Sequence, residues 1–118
     1  MQDQFQPTMA AAALQVPGNG SQSVNADAFV WSEPTPGFRI KPLFDGGGNR
    51  TYLMSIEPGA DCAPHAHDDV EHIFVLEGSF SDEDADYRKG DLVVRAAGAL
   101  HTASSKTGAT VLVTYFPA

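Results

Sequence analysis

From Phe29 to the C-terminus this chain is cut into short apolar runs, each too brief for a helix that packs in a globular core. FRIKPLF, RTYLMSIE, HIFVLEG, DLVVRA and ATVLVTYF are of strand length and rich in β-branched or aromatic residues. Between them lie GGGN, EPGADCAP, SDEDADYRKG and SSKTG, whose glycine, proline and aspartate residues are those that turns require. Nothing past Phe29 repeats with a helical period, so no crossover helix is on hand to support a parallel sheet. The expected fold is therefore all-β, an antiparallel sandwich or barrel.

At 118 residues the chain makes one domain. A domain of this size buries about two thirds of its unfolded surface, so it folds without disulfide or metal staples, and any metal it holds is free to be functional. Cys62 is the only cysteine, which excludes an intramolecular disulfide and a cysteine-rich zinc module. It is expected to be a small buried hydrophobe. Seven basic residues against fifteen acidic ones give a formal net charge of -8, and no basic stripe interrupts it, so no nucleic-acid partner is expected. The N-terminal MQDQFQPTMAAAALQV lacks the basic start and long apolar core of a secretory signal, and no later run is long enough to span a membrane. A cytoplasmic protein with no membrane partner is the expectation. Residues 1–28 are rich in Gln, Ala, Gly, Ser and Asn and read as an N-terminal arm. Residues 29–118 read as the folded domain.

Three of the four histidines fall in PHAHDDVEH, residues 64–72. Side chains alternate faces along a strand, so His65 and His67 project from one side, about 7 Å apart, and can share an ion. Asp68-Asp69 supplies a turn, after which Glu71 opens the next apolar run and its carboxylate can fold back over both imidazoles. His101, at the end of a later strand, offers a fourth donor. Three nitrogens and one oxygen suit iron, manganese, nickel, copper or zinc, and an octahedral ion would retain two open positions. His72 has the opposite parity to Glu71 and is expected to face away.

The stretch GADCAPHAHDDVEHIFVLEG, residues 59–78, resembles the first cupin motif: Gly59, five residues, His65-x-His67, three residues, Glu71, six residues, Gly78. GDLVVRAAGALH resembles the second, with Gly90, Gly98 and His101 in register, although Ala96 stands where proline is usual and Ser105 where asparagine is frequent. More narrowly, VLEGSFSDEDADYRKGD and the upstream W-x-E-P-x-P-G-F of residues 31–38 are similar to the cupin domain of ChrR-type anti-sigma factors. The resemblance implies a cupin jelly roll over residues 29–118, with His65, His67, Glu71 and His101 binding one divalent transition metal per chain: iron, zinc, nickel or manganese. It also implies a homodimer to which the arm contributes. With one cysteine and little chain before the cupin, a free-standing relative is expected rather than an anti-sigma factor.

No Gly-x-Ser-x-Gly elbow or nucleophile–base pair is present. The acidic run Ser81–Asp86 lacks calcium-loop spacing and reads as a solvated hairpin turn. The GGGN turn lacks the residues of a phosphate cradle and reads as a plain loop. Catalysis, if present, falls to the metal: dioxygenase chemistry on a small chelating substrate. The alternative is a non-catalytic ligand-binding or stress-sensing domain. Candidate pocket aromatics are Phe38, Tyr52, Phe74, Tyr115 and Phe116, with core packing as their competing role.

Overall fold

The computed structural model describes residues 12–118. Its strands, in chain order, are β1 (Ser32–Thr35), β2 (Phe38–Gly46), β3 (Asn49–Ile56), β4 (Asp61–His65), β5 (Val70–Ser81), β6 (Asp86–Arg88), β7 (Leu92–Arg95), β8 (His101–Ser104) and β9 (Ala109–Phe116). Among the described residues the one helical piece is a single 3-10 turn, Ala26–Ala28. Every pairing between strands is antiparallel. One sheet runs β1–β2–β3–β9–β5–β7 and a second runs β4–β8–β5–β6.

β5 belongs to both sheets, which is what closes them into a barrel. Its first half lies between β9 and β7, whereas Ser79–Ser81 pairs with β6 and Ser81 meets Ser104 of β8. The register shifts between Val75 and Glu77, and a bulge of this kind bends a strand from one sheet into the next. Gly78 follows at φ 72°, where a Cβ would collide with the carbonyl oxygen of Gly108. The closing glycine of the first motif is thus demanded by both conformation and space. Pro34 and Pro64 lie on β1 and β4, the two edges of the strand order, and Pro42 lies at a register shift in β2, where a missing N–H costs the ladder little.

Register sorts the side chains into rows. Facing inward, from one end of the barrel to the other, are Arg50–Tyr115–Glu71–Arg95, then Tyr52–Val113–Ile73–Val93, then Ile40–Met54–Val111–Val75, then Phe38–Ile56–Ala109. Val75, Val111 and Val113 are fully buried at the centre of this core. Facing outward on the same strands are Leu53–Leu112–Phe74–Leu92 and Thr51–Thr114–His72–Val94. His72 thus lies on the outer face, its ring 4.9 Å from that of Phe116.

The N-terminal stretch is described from residue 12. Leu14 bridges to Phe44, donating its N–H to the Leu43 carbonyl and accepting from the Asp45 N–H. Farther on, the Lys41 ammonium donates to the Ala26 carbonyl and lies 4.6 Å over the Trp31 ring. Residues expected to form an arm are therefore tied to β2 of their own barrel at two points, Leu14 and Ala26. Residues 1–11 lie outside the described region.

Candidate metal centre

His65 ends β4, and His101 begins β8 rather than ending a strand as expected, because DLVVRA stops at Arg95 as β7. The register sets the two histidines directly opposite each other. His67 lies two residues past β4, in a loop fixed by the Gly98 N–H, which donates 2.7 Å to the His67 carbonyl. Gly98 has φ 80°, so the second motif's glycine supplies the turn that lets one motif grip the other. Ligand atoms of the three histidines all lie within 4.8 Å of one another. The Nδ1 atoms of His65 and His101 are 3.0 Å and 3.2 Å from the carbonyls of Ala63 and Ala99. A carbonyl only accepts, so these contacts place the proton on Nδ1 and leave each Nε2 lone pair free. Ligating imidazoles are commonly held this way, and the three are placed to hold one metal ion. Burial pushes the His67 imidazole below its ordinary pKa; Glu71 opposes that effect, while His65 and His101 add to it.

Glu71 is brought to the same end of the barrel. Its Oε1 lies 3.7 Å from His101 Nε2 and its Oε2 lies 4.0 Å from His67 Nε2. The carboxylate is clamped from both sides. Arg95 Nε donates to Oε1 at 3.1 Å, and the Tyr115 hydroxyl donates to Oε2 at 2.7 Å. Tyr52 extends the chain by donating its hydroxyl to that of Tyr115 at 3.1 Å. Burial and the neighbouring Tyr52 and Glu71 raise the Tyr115 pKa far above the usual phenol range, so it stays a proton donor at neutral pH.

The acidic hairpin is exposed at residues 83–86, as expected of a solvated turn, and Asp82 is the exception. Asp82 has no exposed side-chain surface and accepts 2.6 Å from Arg95 Nη1 and 2.9 Å from the Tyr87 hydroxyl. Its other oxygen accepts from the N–H groups of Asp84 and Ala85. Burial alone would raise its pKa; the Arg95 guanidinium, the two backbone donors and Tyr87 together hold it below the ordinary value. The next residue, Glu83, accepts from the Thr102 N–H at 3.1 Å, one position past His101. The turn therefore braces both Arg95 and the strand that carries a histidine.

A cavity of about 580 Å³ opens from this cluster into the barrel. Of the five candidate aromatics, Phe38, Tyr52 and Tyr115 line it. Phe74 and Phe116 lie instead on the outer face, because register puts Phe74 beside Leu112 and Phe116 beside Val70. Cys62 is half-buried rather than fully buried; it lines the cavity with its Sγ 3.4 Å from His65 Nδ1. Sequence reasoning missed Arg95 and Asp82. The one available signal was a lone arginine in the otherwise apolar run DLVVRA.

Among the described residues no helix is long and apolar enough to cross a membrane. No curated protein matches the sequence. Solved structures share the fold. A chain of the Rhodobacter sphaeroides complex of SigE with the anti-sigma ChrR is similar at 26% identity and a TM-score of 0.68, over 74% of this chain and 49% of that one. This chain thus spans about half the length of that match. An RmlC-like cupin from Shewanella frigidimarina is 20% identical with a TM-score of 0.75, over 84% and 93% of the two chains. The polyketide cyclase RemF from Streptomyces resistomycificus is 19% identical with a TM-score of 0.72, over 81% and 79%. The family described as the ChrR cupin-like domain matches residues 19–118. With the whole barrel and both histidine motifs inside that match, the chain belongs to the ChrR cupin-like family of small cupins.

Proposed function

We propose that this chain holds one divalent transition-metal ion with His65, His67, His101 and Glu71 and uses it to act on a small chelating molecule, with dioxygenase chemistry as the activity. The observation that carries this reading is the position of the histidine cluster at the polar end of a 580 Å³ cavity with otherwise apolar walls. Such an ion, when bound, supplies Lewis acidity and, if redox-active, electron transfer with dioxygen. The residues of the chain do the rest. Arg95 and Tyr115 fix the Glu71 carboxylate, carbonyl contacts fix two imidazoles, and the apolar rows keep bulk water from the bound molecule.

A second reading, a metal-dependent binding or sensing domain without turnover, is favoured by the ChrR family match and by the absence of an uncommitted general base around the histidines among the described residues. Oxygen uptake separates the two. Anaerobic apo-protein loaded with iron(II) is offered catechols, diketones and hydroxylated aromatic ketones, with His101→Ala as the control. Uptake that the variant lacks supports the dioxygenase. No uptake with any of these, together with a ligand-dependent rise in melting temperature, supports the binding domain.

We also infer that two copies of the chain pair through the outer face of β7, β5, β9 and β3. Its two outward rows carry no acidic or basic residue apart from His72, in a chain whose net charge is -8. Like-charged copies meet with least repulsion where charge is absent. Light scattering at micromolar concentration should give twice the 12.5 kDa chain mass. A monomer mass refutes the pairing.

A further inference from the structure

The four inward rows form a polarity gradient along the barrel. The first, Arg50–Tyr115–Glu71–Arg95, is charged or hydroxylated throughout and sits at the level of the histidines. The second keeps one polar group, the Tyr52 hydroxyl, which already donates to Tyr115. Below it the cavity wall is apolar apart from Thr35, which pairs with Phe38 at the rim of the last row: Ile40, Met54, Val111 and Ile56 line one sheet, Cys62 and Ala103 the other. Successive rows are two residues apart, about 6.7 Å, so the last row lies roughly 13 Å along the barrel from the Tyr52 row. A sugar, or any ligand with polar groups along its length, would leave hydroxyls there without partners.

Charge at the polar end selects the head group. The Arg50 guanidinium lies 4.7 Å over the Tyr115 ring and 3.7 Å from Asp69, while Arg95 bridges Glu71 and Asp82. The two arginines and a divalent ion bring four positive charges. Glu71, Asp82 and Asp69 offset three of them, and neutral imidazoles add none. One positive charge is left, at the one place in the cavity where an anion can be ligated.

We propose that the cavity binds an amphipathic monocarboxylate, with its carboxylate at the histidine level and its apolar body laid along the Met54–Val111 rows. This binding mode rests on the metal reading above and narrows its ligand to one chemical class. A second carboxylate at the far end of such a molecule would be stranded against Ile56 and Phe38. A neutral head of the same length would leave the residual positive charge unanswered.

Calorimetric titration of the zinc-loaded full chain tests it, with acetate, butanoate and hexanoate as a length series and hexanamide and adipate as controls. Affinity should rise about fourfold per methylene through hexanoate, the gain expected for burying a CH2 group. Hexanamide and adipate should each bind at least about tenfold more weakly than hexanoate, the cost of an unanswered or stranded charge. Met54→Gln should flatten the length dependence and Met54→Leu should restore it, both with one zinc per chain. Binding that ignores chain length, adipate binding as tightly as hexanoate, or no carboxylate binding at full zinc occupancy would each overturn the proposal and leave the metal reading standing. Failure of the wild-type chain to take up zinc, nickel, manganese or iron(II) would overturn both.

Discussion

The inner row Arg50–Tyr115–Glu71–Arg95 and the outer row Leu53–Leu112–Phe74–Leu92 occupy opposite faces of the same four strands, and on β5 and β7 each reverses the usual placement of its residue types. Inside, Glu71 and Arg95 are 5% and 9% exposed; outside, Phe74 and Leu92 are 40% and 56% exposed. Charges are tolerated in the barrel because every one has a partner: Glu71 between Arg95 and Tyr115, Arg95 between Glu71 and Asp82. Exposed hydrophobes need no local compensation and cost the folded chain little. The inner reversal is therefore held by a network that cannot be changed one residue at a time. The outer one is a set of nearly independent side chains.

That contrast is open to direct attack. Arg95→Ala should produce the largest effect, destabilising the fold by about 3–5 kcal/mol in urea denaturation, because it leaves two carboxylates buried beside each other without a cation. A loss below about 1 kcal/mol would show that the network does not behave as a unit. Tyr115→Phe keeps the ring and removes one clamp from Glu71. It should weaken zinc binding about 10–100-fold by competition titration, as loss of a ligand's hydrogen-bond partner does elsewhere. Unchanged affinity would mean that Glu71 does not ligate.

Acid should erode the inner row in a defined direction. The folded-state pKa of Asp82 lies below its ordinary value of 3.8, so its ionised form contributes stability above that value and loses it as pH falls through the folded pKa. The stability gap between wild type and Asp82→Asn should therefore be full at neutral pH and shrink below about pH 3.8. A gap constant down to pH 2.5, on the order of a unit further, would remove Asp82 from the network. The smallest effect belongs outside: Leu92→Lys should change the stability of the single chain by no more than about 0.5 kcal/mol while abolishing pairing of copies in light scattering. A large stability loss with pairing intact would show that the outer row is part of the core after all.

Five of the nine strands, β2, β3, β5, β7 and β9, are legible in the sequence because the apolar character of FRIKPLF, RTYLMSIE, HIFVLEG, DLVVRA and ATVLVTYF is a local property. By contrast, β1 and β8 lie in no such run, and β4 and β6 lie almost wholly in EPGADCAP and SDEDADYRKG, which read as turns until a partner strand pairs with them. The histidine cluster was legible because His65, His67 and Glu71 lie within seven residues, but strand parity is not what joins the first two: His67 lies in the loop past β4 and is set there by the Gly98 N–H of the other motif. Contacts that depend on register between distant strands are written in no local stretch. Arg95 reaches Glu71 from 24 positions away and Tyr115 reaches it from 44. Nothing local in DLVVRA or TYF says which residue will stand opposite Glu71. Phe38 and Phe74 look alike in the sequence, yet one lines the cavity and the other faces outward. Asp82 could not be told from its solvated neighbours because burial was conferred on it by Arg95, a partner from another strand. Alternation reveals that a strand has two faces, but which face is the inside is fixed only when the bulge in β5 carries that strand from one sheet to the other and closes the barrel.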